Sequence, residues 1–160
     1  MTGPNGTANL APALVTYDRQ GRDKLAIVGF SKAHRDLVPY ADPSWEVWGV
    51  NDAWSFMPRA DRWFELHAPW LYEWHLRRAR GHLDVLRDFA GPVYMLERRE
   101  DIPSSVAYPF EAVCAQIPWA ARLLPDGGRR SDPYLTSTIA YMLALALCEG
   151  WQTIGLWGVD

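Results

Sequence analysis

The chain has 160 residues, of which 49% are apolar and 22% charged, and its formal net charge is −3. That make-up suits one globular domain long enough to bury a core without disulfide or metal staples, and it excludes collagen, coiled-coil, knottin and histone-like chains. The negative balance gives no drive toward nucleic-acid phosphates or anionic lipid, and no apolar run approaches the roughly 20 residues of a membrane span.

Residues 1–22 are rich in Gly, Pro, Asn, Thr and Ala, lack any period, and read as a loosely held arm before a domain spanning 23–160. Lys24-Leu25-Ala26-Ile27-Val28-Gly29 is continuously apolar, as a strand covered on both faces requires, and predicts a central parallel strand. Ser31 is placed to cap a short helix that Pro39 stops. Trp45–Val50 and Asp61–His67 predict the next two strands. Pro69 opens a predicted helix from Trp70 to about Phe89, bent or broken at Gly81, and Pro92–Leu96 predicts a fourth strand. Ile102 to Asp132, punctuated by Pro103, Pro109, Pro118 and Pro125, predicts irregular chain with one short helix near Phe110–Gln116. Asp132 as cap and Pro133 at the first helical position open the strongest predicted helix, which Gly150 ends. Thr153–Trp157 is the last predicted strand. Alternating strands and helices predict the α/β class: a Rossmann-like, doubly wound, mostly parallel sheet with flanking helices. Because the sequence stops at the end of a strand, it reads as the front portion of a larger domain, truncated at the C-terminus. Cys114 and Cys148 show no disulfide or zinc spacing, and the N-terminus lacks a signal peptide's apolar middle, so a reducing cytoplasm is the expected location.

Open α/β sheets bind ligands outside the carboxyl ends of their strands. The first strand delivers Gly29-Phe30-Ser31 there, with backbone N–H groups and a hydroxyl for a phosphate. The second delivers Asn51 and Asp52, 22 residues after Gly29, near the interval at which dinucleotide folds read a ribose. The third delivers Glu65 and His67 on one face, and the last delivers Asp160. Thr136, Ser137 and Thr138 at the start of the last helix make an anion-ready turn. Neither G-x-G-x-x-G nor G-x-x-x-x-G-K-[ST] occurs, which argues against a dinucleotide fingerprint and excludes a P-loop. Bland readings stand beside these. Gly29 also serves as a tight strand end, and Asn51-Asp52 as a helix cap. Glu65-x-His67 lacks metal-ligand spacing, so no metal site is assigned, and His67 reads as an acid, a base or a phosphate donor. Arg77, Arg78 and Arg80, with Arg87 further on, form the densest basic patch, usually a solvated helix face. Trp45, Trp48, Trp63 and Trp157 fall within strands and read as packing.

The order of these segments resembles the sialyltransferase-type glycosyltransferases of family 42 and the related DUF115 group, which includes archaeal 6-hydroxymethylpterin pyrophosphokinases. It is also similar to uncharacterised phage-encoded proteins of the same design. Those proteins open with a strand and a G-x-G-P-S-L-type loop, here Val28-Gly29-Phe30-Ser31 with Asp36-Leu37, Ser31 replacing the second glycine. A strand ending near an Asn follows, here Val50-Asn51-Asp52, then Phe64-Glu65-Leu66-His67. A T-S-G helix is matched by Leu135-Thr136-Ser137-Thr138 with Tyr141-Met142, and an S-G-I-D strand end by Leu156-Trp157-Gly158-Val159-Asp160. The resemblance runs from Lys24 to Asp160 and implies a Rossmann-like fold. It implies that Gly29, Ser31 and Asn51 bind the nucleotide of a CMP-sugar donor, with Thr136 and Ser137 near the donor sugar. The family's catalytic His and phosphate-binding Tyr residues lie downstream of the last matching strand, past Asp160.

The expected function is a nucleotide-binding, glycosyltransferase-like transferase using a CMP- or UDP-type sugar donor in a bacterial or phage-infected cytoplasm. Gly29 and Ser31 would contact phosphate, Asn51 and Asp52 ribose or base, and Thr136 and Ser137 the transferred group, with Asp160 at the same edge. His67 or Glu65 would deprotonate the acceptor. Two alternatives stay open: a pyrophosphokinase whose Mg²⁺ is held by carboxylates such as Asp52 and Asp160, and a catalytically silent nucleotide-binding or assembly module. The expected partners are the small-molecule nucleotide and, through the last strand, a second copy of the chain.

Overall fold

The structure is a computed structural model that describes residues 14, 17–68, 70, 81–117, 122–123, 129–130 and 135–159. Its centre is a six-stranded sheet in the order β5-β4-β3-β2-β1-β8, built from β1 (Lys24–Val28), β2 (Trp45–Val50), β3 (Arg62–Glu65), β4 (Val93–Met95), β5 (Ser105–Ala107) and β8 (Thr153–Trp157). Every neighbouring pair is parallel. The α-helices are α1 (His82–Asp88), α2 (Phe110–Gln116) and α3 (Thr138–Glu149). This is a Rossmann-like α/β fold. The short antiparallel pair β6 (Arg122–Leu123) and β7 (Arg129–Arg130) forms a second sheet.

The strand order decides where a ligand can sit. From β1 the chain adds β2, β3, β4 and β5 to one side and then returns, placing β8 on the other side of β1. The chain leaves β1 toward β2 on one side while β8 lies on the other, so the strand order reverses at β1, the place where open α/β sheets hold a crevice at the carboxyl ends of their strands.

Burial follows the sequence pattern. Leu25, Ala26, Ile27 and Val28 of β1 are all fully buried, because apolar layers cover both faces. Leu25, Ile27, Trp48, Phe64 and Tyr94 face a large core that includes Met142 and Leu145 of α3. Ala26, Val28 and Val47 face a smaller core closed by Val38, Tyr40, Phe56 and Met57, so loop and turn residues cover this face among the described residues. The strand tryptophans do pack: Trp48 lies against Phe64 and Trp151, and Trp45 against Trp157, edge-on in the latter two pairs. The near end of the expected arm is tied down as well, with Arg22 bonded to Asp61 and Glu46 and Tyr17 edge-on to Tyr94.

Three elements depart from the sequence expectation, while the break expected at Gly81 is present. No α-helix follows β1; a 3₁₀ turn at Arg35–Leu37 does, entered through His34 at a left-handed φ of 59°. Of the expected 70–89 helix, Trp70 is helical and α1 begins after Gly81, itself at φ 100°, a value no helix continues through, as the expected break requires; residues 71–80 lie outside the described residues. β5 occupies chain expected to be irregular. The last helix starts at Thr138 rather than at Pro133, because Ser137 caps it by accepting from the Ala140 N–H at 3.3 Å; Asp132 and Pro133 lie outside the described residues.

Candidate functional site

The crevice predicted by the strand order holds a cleft of about 560 Å³, within the size range of small-molecule sites. Each strand that reaches this edge near β1 supplies part of its wall. Gly29, Phe30 and Ser31 come from the end of β1, Val50 and Asn51 from β2, His67 from beyond β3, and Gly158 and Val159 from beyond β8. Thr136, Ser137, Thr138 and Ile139 close it with the N-terminal turn of α3. The structure thus brings together Gly29, Ser31, Asn51, His67, Thr136 and Ser137 from segments distant in sequence.

Other expected residues sit elsewhere. Asp52 is exposed and is not among the lining residues. Glu65 is only 1% exposed and lies behind His67 instead of facing the cleft. Asp160, Arg77, Arg78 and Arg80 lie outside the described residues. Arg87 is engaged with Asp84 at 3.0 Å and Asp101 at 3.1 Å, so it forms part of a solvated ion-pair cluster. Among the described residues no group of three or more His, Cys, Asp or Glu is placed to hold a metal ion.

The loop after β1 serves a different purpose from the one its sequence suggests. The Gly29 N–H donates to the Trp157 carbonyl at 2.8 Å and the Ser31 N–H to that of Gly158 at 2.9 Å, so neither is free for a phosphate. A Cβ at Gly29 would overlap the Gly158 carbonyl oxygen, which is backbone and cannot swing aside. Gly29 is glycine because the ends of β1 and β8 touch. Gly29→Ala is therefore expected to cost about 1–3 kcal/mol, the usual penalty for overpacking; the midpoint of denaturant unfolding measures it, and an unchanged midpoint would refute the contact argument.

With those donors taken, the anion-ready feature of the cleft is the start of α3. Thr136, Ser137, Thr138 and Ile139 line the cleft, and the helix dipole adds partial positive charge there, although the Ala140 N–H is already taken by Ser137 Oγ. Asn51 sits opposite. Its backbone is clamped, the N–H donating to the Phe64 carbonyl at 2.9 Å and its own carbonyl accepting from Trp63 Nε1 at 2.9 Å. That clamp holds a non-glycine residue at a φ of 49°, a conformation Asn tolerates better than most residues. Its side-chain Oδ1 is buried without a hydrogen-bond partner among the described residues.

Comparison of the chain with protein-family models, curated proteins and solved structures finds no match. Function must be read from the site.

Among the described lining residues the one ionisable side chain is His67. Its Nδ1 lies 2.6 Å from Glu65 Oε1, and Glu65 Oε2 lies 2.8 Å from His82 Nε2. His82 Nδ1 in turn lies 2.9 Å from Trp54 Nε1. Burial alone would push the Glu65 carboxyl up, but the hydrogen bonds from His67 and His82, with the charges of both rings, bring it down to about 2. The Glu65 hydrogen bond raises the His67 imidazole above its ordinary 6.5, against the opposing pull of burial, and the Glu65 and Asp52 charges add to the rise. Sequence reasoning found Glu65 and His67 because they are two apart on one strand end. It missed His82 and Trp54, whose only sequence signal is a polar residue within an otherwise apolar helix face and a tryptophan just past a strand.

Proposed function

We propose that the chain is a nucleotide-binding transferase, glycosyltransferase-like, that moves a group from a nucleotide-activated donor to a hydroxyl acceptor. The observation that carries this reading is the cleft at the β1–β8 switch point, where a helix N-terminus, Asn51 and an imidazole paired with a buried carboxylate meet. Each group has a part to play. The start of α3 stabilises the donor phosphate, and more so as charge builds on the departing nucleotide. Asn51 lines the cleft, and its side-chain amide would pair with a ribose hydroxyl or a base amino group once a small side-chain turn brings it to the ligand. Thr136 and Ser137 stand beside the transferred group, as the resemblance to the family 42 sialyltransferases implies. His67 receives the acceptor proton. The setting proposed is the cytoplasm of a bacterium or a phage-infected host.

A thermal-shift panel of CMP, UDP, GDP, ATP and NAD, with and without Mg²⁺, tests the first half of this reading. A nucleotide that binds only the folded chain, supplied at roughly 100 times its Kd, is expected to add about 2.7 kcal/mol. The expected result is a shift with a pyrimidine nucleotide, independent of Mg²⁺ and lost in Asn51→Ala. No shift with any nucleotide would overturn the reading.

A further inference from the structure

We infer that Trp54, His82 and Glu65 form a hydrogen-bonded relay that fixes His67 in its Nδ1–H tautomer, leaving the Nε2 lone pair open to the cleft. The catalytic use of that lone pair rests on the transferase reading above; the relay itself rests on three contacts and the donor rules of the groups that make them. An indole N–H can only donate, so the 2.9 Å contact from Trp54 Nε1 makes His82 Nδ1 an acceptor. The His82 ring proton must then sit on Nε2, where it donates across 2.8 Å to Glu65 Oε2. An ionised carboxylate can only accept, so the 2.6 Å contact at Oε1 places the His67 proton on Nδ1. The indole and the carboxylate agree on His82, one demanding an acceptor at Nδ1 and the other a donor at Nε2, and the same carboxylate sets His67. The last nitrogen, His67 Nε2, has no partner among the described residues and belongs to a side chain that is 37% exposed on the cleft wall.

The arrangement has the logic by which a buried carboxylate orients the histidine of a hydrolase triad, carried one histidine and one indole further back. His82 and Glu65 are almost fully buried and neither lines the cleft. Packing alone does not call for a buried acid and imidazole, since an apolar pair of similar volume would fill the same space at no desolvation cost. Trp54 and His82 are therefore positioning residues, acting on His67 through Glu65.

The test uses the full chain with ¹⁵N-labelled histidine and reads ring tautomers from two-bond ¹H–¹⁵N correlation spectra above the titration of both rings. In the wild type, His67 is expected as Nδ1–H and His82 as Nε2–H, opposite tautomers joined by one carboxylate. Glu65→Gln supplies the sharper test. With His82 still pinned by Trp54, the glutamine must turn its carbonyl to His82 and its amino group to His67 Nδ1. His67 is then expected to switch to Nε2–H and lose its open lone pair. His67 found as Nε2–H in the wild type, or unchanged in Glu65→Gln, overturns the relay.

Trp54→Phe tests it separately should Glu65→Gln fail to fold. Freed of the indole, His82 Nδ1 loses its hydrogen-bond donor, so its ¹⁵N resonance is expected to move downfield while His67 stays Nδ1–H. The ionisable groups acting on His67 are Glu65 from β3 and Asp52 from the turn after β2, and His82 shares Glu65. An unmoved His82 Nδ1 resonance would sink the relay. Nucleotide binding is a separate measurement. Its absence with these tautomers in place strikes the transferase reading, and wrong tautomers with nucleotide bound strike the relay.

Discussion

His67→Ala is expected to slow transfer by about 10²–10⁴-fold, the range contributed by a positioned general base, while the thermal shift given by the donor nucleotide stays as in the wild type. In the proposed step the acceptor oxygen forms a bond to the donor's anomeric carbon as His67 Nε2 takes the acceptor proton. The bond from that carbon to the phosphate oxygen breaks, and the nucleotide leaves with the electron pair. The base acts in its neutral form. Because Glu65 and Asp52 hold the folded-state imidazole above its ordinary 6.5, the rate is expected to climb as pH rises through that raised value. The linked stability runs the opposite way: the contribution from the His67–Glu65 pair is fully present below about 6.5 and fades as pH rises through the raised value. A kcat/KM profile without an acid limb, or a His67→Ala chain that keeps its full rate, would remove His67 from the chemistry. An acid limb that persists after His67→Ala would assign the base to another group.

How much of this was legible in the sequence depends on the range of the interaction that fixed each feature. The central strand β1 was legible because a parallel strand buried on both faces leaves a local mark, the unbroken apolar run Leu25–Val28. β5 left no such mark: Ser105-Val106-Ala107 is three residues long, lies at the sheet edge between Pro103 and Pro109, and buries a serine whose hydroxyl donates to the Arg99 carbonyl. The start of α3 was misread because Asp132-Pro133 is a good local opening signal, while the actual cap, Ser137, is one of several hydroxyls in a row. Gly29 suggested a ligand's close approach, yet the group that approaches is Gly158, 129 residues away and invisible to local reading. The cleft itself was foreseeable, since the carboxyl edge of an open α/β sheet collects whatever residues end its strands. What local reading could not supply was the depth behind it. His82 is 17 residues from Glu65, and Trp54 is 28 from His82.

At the opposite end of the sheet, Glu46→Ala is expected to cost about 3–5 kcal/mol, the penalty for leaving a buried charge without its partner. Glu46 is 2% exposed and holds three donors: Arg62 Nε at 2.6 Å, Arg22 Nη2 at 3.2 Å and Trp48 Nε1 at 2.7 Å. Arg62 also pairs with Glu149 at 2.6 Å and lies across the faces of Trp48 and Tyr17. Removing the carboxylate leaves the Trp48 N–H in the core without an acceptor and gives Arg62 one carboxylate instead of two. The cost arises from those stranded groups and not from a large net benefit of the ion pairs, because desolvating the charges offsets most of their attraction. Arg62 Nη2 is buried with no partner among the described residues. Two variants separate the possibilities. Glu46→Gln retains an acceptor for Trp48 and should cost less than Glu46→Ala. Replacing Glu46, Arg62 and Glu149 together by apolar residues should cost less than Glu46→Ala alone, since no uncompensated charge remains. Denaturant midpoints for the three chains decide it. If the triple replacement proves more damaging than the single one, the ion pairs contribute net stability, and the stranded-charge account of this network is wrong.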